Sequence, residues 1–144
     1  MTDQLHYDDV AEGDTLPTLE KTPGTRQLVM YAGASCDYYE IHYDQAFAHA
    51  RGLPNVIVHG ALKSAFLAQL VTDWIGELGT LKRLNVQYRG MDIAGRPMYC
   101  NGVVTARRVE NGEHLVECDV WTERASGEKT TRGSALVSLP PGSK

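Results

Sequence analysis

The spacing of apolar residues changes once along this chain, at Gly79. Before that point the pattern is helical or irregular. Residues 14–22 read as a short strand, and Thr25 then reads as the N-cap of TRQLVMYAGAS, where Leu28, Val29 and Ala32 share a face at helical spacing and Gly33 and Ser35 close it. YDQAFAHA offers one or two helical turns. GALKSAFLAQLVTDWIGELG, residues 60–79, predicts a longer helix whose Leu62, Ala65, Phe66, Leu67, Leu70, Val71, Trp74 and Ile75 cover most of the circumference. A helix apolar nearly all round is a buried one. After Gly79 the period falls to two: LKRLNVQYRGMD alternates Leu84, Val86 and Tyr88 with Arg83, Asn85, Gln87 and Arg89, and MYCNGVVTARRV, HLVECDVWTER and TTRGSALVSL continue the alternation. NGE between the second and third runs marks a hairpin turn. Four strands on short connections predict an antiparallel sheet with one wet face. One apolar helix beside one large sheet predicts an α+β arrangement in which the sheet wraps the helix. The final PPGSK is expected to fray.

Composition narrows the function classes. At 144 residues the chain is read as one domain, 1–144, since chains of about 150 residues bury about 68–70% of their unfolded surface. Lys plus Arg number 14 against 18 Asp plus Glu, a net charge of -4, and no basic stripe interleaves with aromatics. That argues against a nucleic-acid partner. MTDQLHYDDVAEGDT has no apolar core of a secretory signal, and no apolar run approaches the roughly 18 residues of a membrane span. The expectation is a soluble, cytoplasmic protein. Cys36, Cys100 and Cys118 lie far apart without a CxxC pair, which fits neither a disulfide framework nor a zinc site. His6, His49 and His114 have no acidic or histidine partner at ligand spacing, so no metal is expected.

Candidate chemistry concentrates in SCDYYEIH, residues 35–42, where Asp37 stands five positions before His42 in a stretch with neither helical nor strand periodicity. Taken alone, such a pair is more often a cap or a solvated loop pair than a working acid and base. The wider segment YAGASCDYYEIHYDQAFAHARGLPNVIVHG, followed by the apolar helix, resembles the MaoC-like dehydratases and R-specific enoyl-CoA hydratases of the hot-dog fold. Their signature runs from an aromatic through small residues to Asp-x-Asn-Pro-x-His, then to a His-Gly pair that opens the central helix. Here the acid is Asp37, the histidine is His42, and the pair is His59 and Gly60. Tyr39 and Glu40 stand where the family has Asn-Pro, and Cys36 where it often has Gly.

The resemblance implies a strongly curved antiparallel sheet around one helix. It also implies a lyase that interconverts trans-2-enoyl-CoA and (R)-3-hydroxyacyl-CoA through an Asp37–His42 dyad. Hydration of an enoyl thioester needs a base for water, an acid for the α-carbon and donors for the enolate-like oxygen. Gly60, at a helix start, offers an N–H to that oxygen and room for close approach; it also reads as a packing glycine. His59 reads either as a substrate-binding group or as a buried ring bonded to backbone. Tyr39 reads as pocket lining or as packing. Arg51, Arg83 and Arg89 read as solvated surface.

No cofactor is implied beyond the coenzyme A or acyl carrier of the substrate thioester. An open sheet edge implies a homodimer or higher homo-oligomer, or a heterodimer. Two other readings stay open: a hot-dog thioesterase, which places an acid on or beside the central helix, where Asp73 near the far end is the candidate, and a partner subunit of a heteromeric dehydratase with a modified site.

Overall fold

The computed structural model describes residues 3–142. The alternation after Gly79 becomes strands β2 (Thr80–Tyr88), β3 (Met98–Glu110), β4 (Glu113–Arg124) and β5 (Lys129–Leu139), joined by a short β1 (Leu19–Lys21). They form one antiparallel five-stranded sheet in the order β1-β3-β4-β5-β2. Of the strand expected at 14–22, only β1 and a single bridge from Thr15 to Val103 form. Between β3 and β4, Asn111 and Gly112 both take positive φ, 51° and 79°, and Glu110 pairs with Glu113. That is the two-residue turn whose twist suits a hairpin. Face selection is plainest on β4, where Val116, Cys118, Val120 and Thr122 are buried while Glu117, Asp119, Trp121 and Glu123 face away.

The central helix, α3 (Gly60–Ile75), buries Leu62, Phe66, Leu67, Leu70, Val71 and Ile75 against Val104, Val116, Val120 and Val137 of the sheet. Two expectations about it need correction. It ends at Ile75 rather than Gly79, because Gly76 leaves the helix at φ 71°. It is also not apolar all round: Ala61, Ala65, Gln69, Thr72 and Asp73 lie exposed on one side, while the charged Lys63 is buried on the other. The first helix, α1 (Thr25–Ser35), is capped by Gly24 and not by Thr25, which is its first helical residue. Gly24 holds the extended backbone a cap requires, φ -89° and ψ 171°, and Gly33 and Ser35 remain inside the helix. The short α2 (Gln45–Ala50) is capped by Asp44, whose carboxylate accepts the Phe47 N–H at 3.1 Å. Of the PPGSK tail, Pro140 is tied down by the Tyr7 N–H at 2.9 Å, and Ser143 and Lys144 lie outside the described residues.

Cys100 and Cys118 are buried in β3 and β4, and burial pushes both thiols up to about 12. Among the described residues no helix is long and apolar enough to cross a membrane. Strand β2, the only partner of which is β5, leaves one sheet edge open among the described residues.

Candidate active site

The loop between α1 and α2 carries Asp37 and His42, and its shape begins at Cys36. This residue ends α1 in the left-handed region, φ 59° and ψ 24°. A side chain there costs about 1–2 kcal/mol relative to ordinary backbone, a cost glycine escapes. The preference for Gly at this position in the family pattern thus has a local cause. After the turn, Asp37 accepts the Tyr39 N–H through Oδ1 at 3.4 Å and donates its own backbone N–H to Ser35 Oγ at 3.3 Å. Both bonds are long. A 3₁₀ turn, Glu40–His42, then drives Ile41 and His42 into the interior while Asp37 stays half exposed.

His42 is oriented from behind. Its Nδ1 lies 2.8 Å from the Ile57 carbonyl, which can only accept, so Nδ1 carries the proton. The lone pair is left on Nε2, which faces Asp37 Oδ2 at 3.8 Å. Two acceptors therefore face each other across a gap too long for a direct hydrogen bond and suited to a water molecule that donates to both.

Beneath His42 lies His59, 1% exposed, with ring centroids 3.8 Å apart and planes 19° from parallel. Tyr31 also meets His59 edge-on at 4.8 Å. Neither ring nitrogen of His59 reaches a partner at full hydrogen-bonding geometry among the described residues, and its one backbone influence is the weaker one of Asp37. Burial, then the neighbouring His42, pull its pKa below 6.5, with the Asp37 backbone and carboxylate opposing more weakly. His59 is accordingly a neutral ring at neutral pH.

Asp37, His42 and His59 place one donor atom each within 4.8 Å of the others. The chain brings these donors together from positions too far apart for a ligand-spacing motif to reveal. The two stacked rings direct their in-plane lone pairs side by side, a poor fit to one ion needing bonds of about 2.0–2.1 Å from both.

Gly60 is the first residue of α3, where N–H groups have no intrahelical acceptor and the helix dipole is positive. A Cβ there would meet the Tyr88 ring at 3.1 Å. Tyr88, from the open-edge strand β2, bonds through its hydroxyl to Ser64 Oγ at 2.7 Å. It escaped the sequence reading, which placed it only in a strand alternation. Tyr39 is 48% exposed; its ring stands edge-on to His42 at 6.1 Å and to Phe47 at 5.6 Å. Arg83 and Arg89 are exposed as expected, and Arg51 lies over the Phe47 ring. An open groove of about 750 Å³ between α1 and α2, lined by Val29, Met30 and Tyr43, includes neither Asp37 nor His42.

Likeness to known proteins bears on the fold and the family. The R-hydratase PhaJ1 of Pseudomonas aeruginosa superposes with a TM-score of 0.85 at 19% identity, over 96% of this chain and 88% of that one. The ChsH1–ChsH2 complex of Mycobacterium tuberculosis gives 0.78 at 24% identity, over 90% and 98%. These likenesses establish the hot-dog fold. A stretch of fatty acid synthase subunit beta of Gibberella zeae is 32% identical over 113 residues, 77% of this chain and 5% of that protein. The chain thus spans a small part of that relative. The model of the MaoC like domain matches residues 9–124, which include the Asp37–His42 loop and all of α3, and the chain belongs to this family of hydratases and dehydratases.

Proposed function

We propose that the protein adds water to a trans-2-enoyl thioester to give the (R)-3-hydroxyacyl thioester, or runs the reverse dehydration, with Asp37 and His42 as its acid–base pair. The observation that carries this is the 3.8 Å gap between Asp37 Oδ2 and His42 Nε2, with Nδ1 already committed to Ile57. A water in that gap loses a proton to the pair as its oxygen bonds to the β-carbon. The electrons of the double bond move onto the thioester oxygen, where the Gly60 N–H stabilises the enolate. Asp37 then returns a proton to the α-carbon on the same face, so the pair ends as it began. His59, neutral and unpartnered, lies against His42 where it lines the floor of the substrate site, and Tyr39 walls the exposed side.

No resident cofactor is needed for this chemistry. Coenzyme A or an acyl carrier enters as the thioester half of the substrate. The open β2 edge supports pairing with a second chain, either a copy or a different subunit, as in the heteromeric ChsH1–ChsH2 complex. The thioesterase reading is weaker, because Asp73 is exposed thirteen residues along α3 from Gly60, about 20 Å at the helical rise.

The test is loss of enoyl-thioester absorbance with crotonyl-CoA and with longer and branched enoyl-CoA species, read beside free-thiol release. Hydration without thiol release is expected. Thiol release without hydration would make the protein a thioesterase. Inactivity of the chain alone, restored by a second subunit, would assign it to the heteromeric class.

A further inference from the structure

The molecule holds a second acid–base pair that the proposed reaction does not touch. Lys63, one turn into α3, is 2% exposed, and Asp92, in the connection after β2, is 4% exposed. Lys63 Nζ donates to Asp92 Oδ2 at 3.0 Å and to the Gly90 carbonyl at 2.9 Å. The same carboxylate oxygen accepts from Thr130 Oγ1 at 2.6 Å, and Thr130 bonds to Thr122 at 2.9 Å. Helix, connection and two strands are thus tied at one carboxylate.

Buried pairs of this kind contribute little net stability, because apolar replacements of similar volume are often neutral or better. What they add over an apolar contact is direction. Here the direction leads to the dyad. The Asp92 carbonyl accepts the Val58 N–H at 2.9 Å, Ala94 donates to Val56 at 2.9 Å, and Ile57 bridges Ile93 between them. Ile57 in turn donates its N–H to the Ile41 carbonyl at 3.1 Å and accepts from His42 Nδ1 at 2.8 Å.

We propose that Lys63 and Asp92 are positioning residues for His42: they hold residues 90–94, and through them the Ile57 carbonyl, so that the imidazole keeps its proton on Nδ1. If that carbonyl drifts, the ring is free to move its proton to Nε2. Nε2–H then donates toward Asp37, the gap closes to water, and the base is lost. The inference rests on the dyad reading for its functional meaning, though not for its structural test.

The test uses a variant that removes both charges, Lys63→Met with Asp92→Leu, so that neither is left buried and alone. Long-range 1H–15N NMR of histidine-labelled protein reads the ring tautomer directly, with His42 assigned by its loss in His42→Asn. The wild type should show Nδ1–H, and the double variant a mixture of tautomers. On an active thioester, kcat should fall on the order of ten- to a hundred-fold with KM little changed, as expected when a catalytic group is slightly misplaced. If the double variant does not fold, Thr130→Val loosens Asp92 while keeping the ion pair, and should shift the tautomer in the same direction to a smaller extent. A folded variant with the wild-type tautomer overturns the proposal. A tautomer shift in a protein that hydrates no thioester would leave the positioning role standing and remove the hydratase reading instead.

Discussion

Two carboxylates of this protein each sit beside a basic group, and they are held in opposite ways. Asp92 lies 3.0 Å from Lys63 with both side chains nearly sealed, and one of its oxygens serves a lysine and a threonine together. Asp37 lies 3.8 Å from His42, is half exposed, and among the described residues its carboxylate accepts one long backbone bond of 3.4 Å. The first oxygen is spent on the fold. The second keeps acceptor capacity in reserve, beside a histidine lone pair that is also uncommitted. Unspent hydrogen-bonding capacity at a half-open position is what a reacting water requires, and saturated capacity in the interior is what keeps a backbone in place.

This contrast can be broken from either side. The largest effect is expected at the open pair: Asp37→Asn or His42→Ala should lower turnover about 10²- to 10⁴-fold, with thermal unfolding nearly unchanged in Asp37→Asn, which is half exposed, and lowered in His42→Ala, which empties a buried, hydrogen-bonded position. Because the two act together, the double variant should lose far less than the product of the single losses. Near-normal turnover in both single variants would end the dyad assignment.

At the sealed pair the order of effects reverses. Asp92→Ala alone leaves Lys63 charged in the interior and should cost about 3–5 kcal/mol in urea unfolding. A loss below that of an ordinary surface substitution would mean that water reaches Lys63.

Smaller effects sharpen the boundary of the open site. Tyr39 meets His42 and Phe47 ring to ring, and no hydrogen bond joins its hydroxyl to either. Tyr39→Phe should therefore be nearly silent. Tyr39→Ala should shift preference among enoyl chain lengths by about 1–3 kcal/mol in relative kcat/KM. A uniform loss in Tyr39→Phe at every chain length would give the hydroxyl a polar role instead. Cys36→Gly should raise unfolding stability by up to about 1 kcal/mol, because it relieves the φ of 59°. An unchanged midpoint would show that the thiol side chain makes compensating contacts.

The mildest effect is a slope with pH. The folded-state pKa of His59 lies below 6.5, so just under that pH the unfolded chain binds more protons than the folded one. Its contribution to stability is complete above about pH 6.5 and is lost as pH falls toward the folded-state value. Unfolding free energy measured from pH 7 to pH 5 should fall less steeply in His59→Phe than in the wild type. Equal slopes would show that His59 is already solvated in the native state.

The legibility of these features in the sequence followed the range of the interactions. The hairpin at Asn111–Gly112 and the alternation of β4 depend on residues next to one another, and both could be read directly. The Asp37–His42 pair is also local, and its residues could be named, but the 3.8 Å gap depends on an Ile57 carbonyl fifteen positions away. Lys63 was missed, although it shares a helical face with Leu67 and Leu70, because its partner Asp92 sits twenty-nine positions on in an irregular connection. The stacking of His59 on His42 and the closure of Tyr88 over Gly60 likewise join segments that no short window spans. Helix ends were misplaced by one residue at Gly24, whose extended backbone any residue can hold, and at Gly76, where a positive φ stops α3.

The left-handed turn at Cys36 has a practical consequence. It places a solvent-exposed sulfur one residue from Asp37, while Cys100 and Cys118 are buried with thiols held up to about 12. At neutral pH an alkylating dye or spin label should therefore attach at one place only. The natural chain already carries a handle for a reporter beside the dyad loop, and the arrival of a thioester could be followed there by fluorescence or electron spin resonance without first removing any cysteine.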